Sequence, residues 1–297
     1  MKSYRTALCL GLVAILCFSP AVMTAQQDSQ EEASVTLQPL TMDLLLAKGG
    51  AGANAAVYVG YREIYLIDAK MTPASAQALV EEVKKKIPFP ITKIILTSSA
   101  PEFIGGLPGY PRGLPIISQE QVQEDIRRAA TESPALQDYL PTVVFKDKMT
   151  LKSGRSEITL CHYTAAHRTG DTVLYFDRDR TAFTGDLVSL GPEALRNLTQ
   201  NGSSFGLVTV LKEILDHRPH GDMFVTASAG SVTRDDVEIL LQTIQVQQAK
   251  IKTFIADGKT LEEIKKIFKI EEEPPALGAA PVPSLVEIIY RELTAKK

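Results

Sequence analysis

Between Glu63 and Thr97 a short apolar strand, a helix and a second apolar strand follow one another directly, and this order constrains the fold more than any other stretch of the chain. Thr72-Pro73 offers a hydroxyl N-cap with proline in the first turn, and Leu79, Val83 and Ile87 recur at i+4 to mark one buried helix face. Pro88 and Pro90 end the helix, and Ile91–Thr97 is the return strand. Strand–helix–strand implies a parallel pair joined by a right-handed crossover. Functional groups in such a sheet collect beyond the carboxyl ends of the strands, which here means the turn Ser98–Phe103.

The flanking sequence continues the mixed pattern. From Val35 to Leu46 the chain is β-like, and the glycine-rich Gly49–Asn54 reads as a turn rather than a phosphate cradle, because it lacks G-x-G-x-x-G spacing and precedes a strand. Ala55–Val59 and Glu63–Asp68 read as strands around a Gly60-Tyr61-Arg62 turn. Pro115–Ser118 reads as a short strand and Gln119–Thr131 as a helix, followed by Val143–Phe145, Met149–Leu151 and Glu157–Tyr163 as antiparallel strands. Thr172–Phe176 and Thr181–Thr184 are further strands. Arg234–Asp257 is a long helix stopped by Gly258, Leu261–Phe268 a shorter one, Pro274–Pro283 a linker and Ser284–Ala295 a closing helix.

A chain of 297 residues with 44% hydrophobic and 23% charged composition is long enough to bury the core of one large α/β domain. Its net charge of -3, more negative still without Lys2 and Arg5, leaves no basic footprint for nucleic acid. Residues 1–25 combine a charged start, an apolar core from Ala7 to Phe18 and small residues at Ala21 and Ala25. That core is shorter than the roughly 20 residues of a membrane span, so it reads as a cleaved secretory signal, with an uncleaved anchor as the alternative. Residues 26–34 form a polar tether and 35–297 a single domain, secreted or periplasmic, without stable membrane insertion after cleavage. Cys9 and Cys17 leave with the leader, so Cys161 stands alone, and an apolar alternating run marks it as a buried strand residue.

Three fragments in order carry a family resemblance. Ile94–Gly106 reads IILTSSAPEFIGG, His162–Asp171 reads HYTAAHRTGD ahead of Phe183-Thr184-Gly185-Asp186, and Val225–Gly230 reads VTASAG. The chain resembles the metallo-β-lactamase superfamily, whose corresponding patterns are T-H-x-H-x-D-H-x-G-G, H-x-G-x-A-H-T-x-G-D with F-T-G-D, and V-x-P-G-H-G. The likeness spans about Leu37 to Ile255 and implies an α/β fold of the four-layer αββα sandwich type.

It also implies a dinuclear metal site whose ligands are mostly missing. The positions of the lost ligands hold Ser98, Ala100, Phe103 and Ala229, while Glu102, His167 and Asp186 remain as candidate vestigial metal ligands and candidate catalytic groups. Zinc takes at least three protein donors per ion, and only these three remain across a pocket that the resemblance implies had seven ligand positions for two ions. Without an ion, an internal His167–Asp186 hydrogen bond is the expected substitute for the bridge. His162 is expected to be structural, and His217 and His220 to lie on a solvated surface loop. The reading is an exported, non-catalytic pseudoenzyme that binds a small molecule or protein in the old cleft and has no resident cofactor. One alternative is a hydrolase holding a single weakly bound zinc at Glu102, His167 and Asp186. Another is metal-free acid–base catalysis with His167 as base, oriented by Asp186, and Ser98 and Ser99 in the turn.

Overall fold

The computed structural model describes residues 34–190, 202–217, 223–270 and 283–295. The expected leader, nearly all of the tether, His220 and most of the 274–283 linker lie outside these residues. Strands β1 (Val35–Pro39), β2 (Leu44–Gly49), β3 (Ala55–Val59) and β4 (Ile64–Ile67) form an antiparallel meander. Helix α1 (Pro73–Lys86) then crosses over to β5 (Ile91–Ile95), and β6 (Ile116–Gln119) and β7 (Val143–Phe145) extend the sheet in parallel by way of the short α2 (Pro101–Ile104) and then α3 (Glu120–Glu132). The first sheet therefore runs β1 to β7 in sequence order.

The second sheet has the order β13-β12-β11-β10-β9-β8. Its strands are β8 (Lys148–Ser153), β9 (Ser156–Cys161), β10 (Val173–Phe176), β11 (Thr181–Phe183), β12 (Met223–Thr226) and β13 (Gly230–Val232). Helix α4 (Ser204–His217) joins the parallel pair β11–β12, and α5 (Arg234–Ala256), α6 (Leu261–Ile267) and α7 (Leu285–Thr294) close the chain.

Three apolar layers hold these elements together. Leu44, Tyr58, Tyr65, Ile95, Leu160, Phe176 and Phe183 pack between the sheets. The outer face of the first sheet packs against α1, α2 and α3 through residues such as Leu79, Val83, Phe103, Val122 and Ile126. The outer face of the second packs against α4 to α7 through Leu211, Ile214, Ile244, Ile264 and Ile289. This is the expected αββα sandwich, and each large aliphatic side chain it buries contributes about 1.5–3 kcal/mol.

Local signals act as the sequence predicts in most places. Thr72 caps α1 by accepting from the Ser75 N–H, and Ile87 ends it in extended conformation before Pro88. Thr233, Thr260 and Ser284 each form a capping box at the starts of α5, α6 and α7. Gly258, with φ +77°, follows α5. Two expectations need correction. Val35 to Leu46 is not one β stretch but two strands, because Thr41 Oγ1 accepts from the N–H groups of Asp43 and Leu44 and turns the chain. Val143–Phe145 pairs in parallel with β6 rather than joining the antiparallel set, because the α3 crossover returns the chain in the original direction. Helix α4 has no counterpart among the sequence-derived elements, although Leu207, Leu211, Ile214 and Leu215 give it a helical apolar face.

Among the described residues no helix is long and apolar enough to cross a membrane. Cys161 is a free, buried thiol at the end of β9, as the alternating run implied, and burial pushes its pKa up.

Candidate functional site

The carboxyl ends of β4, β5, β9, β11 and β12 gather at one end of the sandwich. Parallel register sets Ile67 beside Ile95 and Phe183 beside Val225, so the residues that follow each pair emerge together. Backbone bonds then tie the loops to one another: Thr172 N–H donates to Thr97 O at 2.9 Å, Ala227 N–H to Gly185 O at 3.0 Å, and Asn54 N–H to Ala227 O at 2.8 Å. The glycine-rich β2–β3 loop thus reaches the late strand, as a turn and not as a phosphate cradle.

The frame after β5 is kept in place by packing. A Cβ on Gly105 would fall 2.2 Å from Met71 O and one on Gly106 2.0 Å from Ala69 O, so both positions need glycine whether or not a metal is near. Gly106→Ala is therefore expected to destabilise the protein by several kcal/mol, a shift that chemical denaturation would read directly, whereas an unchanged unfolding midpoint would contradict the close approach.

Each expected ligand position has its own fate. Ser98 is 2% and Ala100 2% exposed, and the Phe103 ring lies in the apolar layer between the first sheet and its helices. Ser99 Oγ donates to Asp125 on α3 at 2.7 Å. Ala229 sits in the exposed β12–β13 turn, with its N–H donating to Thr226 Oγ1 at 2.9 Å. Glu102 is exposed on α2, Asp186 is half-buried, and His167 is buried. Glu102 and Asp186 are brought together: burial, then the Glu102 charge, pushes Asp186 up to about 6 while the Arg168 guanidinium pulls it down. Asp186 lies within electrostatic reach of Glu102 and Arg168, and its own charge acts on Asp68 and Asp171.

His162 serves structure as expected, its Nδ1 lying 2.8 Å from Asp171 O. His217 is exposed, as expected, but it closes α4 rather than lying in a loop, and its ring stacks on Tyr175 with centroids 3.7 Å apart.

The groups the sequence reading passed over are Asp68 and Lys70, directly beyond β4. Asp68 is 1% exposed and accepts from Thr97 N–H at 2.8 Å and Thr97 Oγ1 at 2.7 Å. Lys70 is 1% exposed, and its Nζ donates to Ala53 O at 2.5 Å, fastening the β2–β3 loop from below. Both residues are left-handed, with φ +64° and +65°, a conformation that costs of order 1 kcal/mol each in a non-glycine residue and gathers at functional sites. Burial lowers Lys70 to about 8 against the opposing charge of Asp68. A charged pair placed just after a wholly apolar strand end was the available signal.

Asp171 completes the cluster. It accepts from the Arg168 N–H, and burial, assisted by the charge of Asp186, pushes it up to about 7. The carboxyl groups of Asp68, Asp171 and Asp186 are thus opposed by the cationic side chains of Lys70 and Arg168, while Glu102 adds a further negative charge beside Asp186. The residues do not fit a dinuclear metal centre: imidazole is absent from the β5 turn and the β12–β13 turn, one ligand position is an aromatic core residue, and cationic side chains already face the carboxylates. Among the described residues no group of three or more His, Cys, Asp or Glu side chains is arranged to hold a metal ion.

The arrangement of the chain is similar to that of solved metallo-β-lactamase-fold proteins. A metallo-β-lactamase from Pontibacter korlensis superposes with a TM-score of 0.61 at 16% identity, covering 71% of this chain and 99% of that one. The structure of TMB-1 gives 0.60 at 13% identity, covering 71% and 97%. A double mutant of the sec-alkyl sulfatase PisA1 gives 0.70 at 13% identity and covers 89% of this chain, which spans 51% of that longer structure. No protein-family model and no curated protein matches the sequence.

Proposed function

We propose that this metallo-β-lactamase-fold chain is an exported pseudoenzyme, which binds a small molecule or a protein through the old cleft without hydrolysing it. The observation that carries this reading is the donor set: Ser98, Ala100, Phe103 and Ala229 supply no imidazole or carboxylate, and Arg168 acts on the carboxyl group that would have bridged two ions. A zinc-activated water needs three protein donors around an open fourth position. Export rests on the charged start and apolar core of residues 1–25.

The test is elemental analysis of the mature protein purified without a metal-binding tag, with hydrolysis assays on a β-lactam, a thioester and a phosphoester. The expected result is well below one zinc per chain and no turnover. One or two tightly held ions per chain, with hydrolysis abolished both by a chelator and by Asp186→Ala, would overturn it.

The proximity of Glu102 to Asp186 favours one other reading, a hydrolase with a single ion at Glu102, His167 and Asp186. The same assays separate the two, because that enzyme loses activity on chelation whereas the pseudoenzyme has none to lose.

A further inference from the structure

The opposite end of the sandwich carries a second concavity, where turns from both sheets meet. The β1–β2 turn contributes Asp43, the β3–β4 turn Gly60 and Tyr61, the β8–β9 turn Ser153 to Ser156, and the β10–β11 turn Arg178. Together they enclose about 340 Å³, within the size range of small-molecule sites.

The turns are held against one another by close contacts. A Cβ on Gly60 would fall 2.2 Å from Ser153 Oγ, and one on Gly154 would fall 2.8 Å from the Tyr61 Cβ. Tyr61 N–H donates to Ser153 Oγ at 2.7 Å, and Ser153 Oγ donates to Glu63 at 2.7 Å. Val59 N–H donates to Asp43 O at 2.7 Å, which fixes the β1–β2 turn to the end of β3. The cradle therefore exists before any ligand arrives, and little ordering cost falls on binding.

Its charges are unequal. Arg155 is exposed and forms no ion pair among the described residues. Arg178 Nη1 stands 3.4 Å from Asp43 Oδ2, with 63% of the arginine side chain still exposed. Among the lining residues two guanidinium groups stand against one carboxylate, and Tyr61, 72% exposed, offers a flat apolar wall.

We propose that this concavity binds a small monocarboxylate that carries a hydroxyl or ammonium donor and an apolar, preferably aromatic, body. The carboxylate takes the planar forks of Arg155 and Arg178, the donor takes Asp43, and the body lies on Tyr61. A phosphate dianion matches the charge less well, because Asp43 repels its second negative charge. The site is separate from the cleft and does not depend on the function proposed for it.

Titration calorimetry of the mature chain with 3-phenyllactate, 3-phenylpropionate, 2-phenylethanol and phenyl phosphate tests this. Saturable binding of 3-phenyllactate is expected, about tenfold weaker in Arg155→Gln and in Arg178→Gln with unchanged thermal midpoints. Asp43→Asn is expected to weaken 3-phenyllactate but not 3-phenylpropionate, and Asp186→Ala to leave both unchanged. The proposal is overturned by no saturable binding up to about 10 mM, by binding indifferent to both arginine substitutions, by phenyl phosphate or 2-phenylethanol binding as tightly as 3-phenyllactate, or by loss of binding in Asp186→Ala.

Discussion

Asp68→Ala is expected to lower the unfolding free energy by about 2–5 kcal/mol, because it leaves two buried donors of Thr97 without their acceptor. Asp68→Asn is expected to cost much less. Its amide oxygen still accepts from the Thr97 N–H, its nitrogen can donate to Thr97 Oγ1, and asparagine tolerates the left-handed backbone at this position. The two variants also differ in pH dependence. Burial pushes Asp68 up to about 8, outweighing the Thr97 hydrogen bonds that pull it down, so its folded pKa lies above its unfolded value. The stability it confers is fully present below the unfolded pKa and is lost as pH rises through about 8, by up to ~1.4 kcal/mol per pH unit. Urea denaturation from about pH 5 to pH 9 should therefore show a decline in the parent chain that is shallower in Asp68→Asn. An identical decline in both would refute the assignment.

Glu63 is expected to act in the opposite direction at the other end of β4. Burial raises its pKa, but hydrogen bonds from Tyr65 at 2.6 Å, Ser153 at 2.7 Å, Lys93 at 3.2 Å and Thr92 at 3.0 Å outweigh that and bring it down to about 2. Its folded pKa is depressed, so its contribution is present above the unfolded value near 4.5 and disappears as pH falls through about 2. The shift is of order 3 kcal/mol, and the Glu63 side chain, 23% exposed, is buried enough to keep most of it. Glu63→Gln should lose stability at neutral pH and resist acid between about pH 5 and pH 2 better, relative to its own neutral value, than the parent chain does. Acid unfolding followed by circular dichroism reads this, and parallel acid curves would sink it.

The elements that could be read in advance are those whose signal is local. Thr72-Pro73, the capping-box residues Thr233, Thr260 and Ser284, and Gly258 act through their immediate neighbours, and the helices start or stop beside them. The direction of β7 was not legible, because three residues carry no record of which way their partner runs. Helix α4 had a readable apolar face at Leu207, Leu211 and Ile214. At the site, the missing imidazoles were plain in the sequence because a resemblance supplied the positions to inspect. Lys70 was not, since lysine is no zinc ligand and its burial under the β2–β3 loop depends on contacts between elements far apart in the chain.

The retained glycines carry a related lesson. Gly105 and Gly106 fit a motif associated with metal ligands, yet the backbone of Ala69 to Met71 leaves no room for a side chain at either position. Such residues report the shape of the loop and not the chemistry performed beside it.

The ammonium of Lys70 has one more implication. A positive group that belongs to the polypeptide is delivered by translation in fixed stoichiometry, and neither dialysis nor competition from other proteins can strip it out. The fastening of the β2–β3 loop by Lys70 thus draws on no cation from the surrounding compartment.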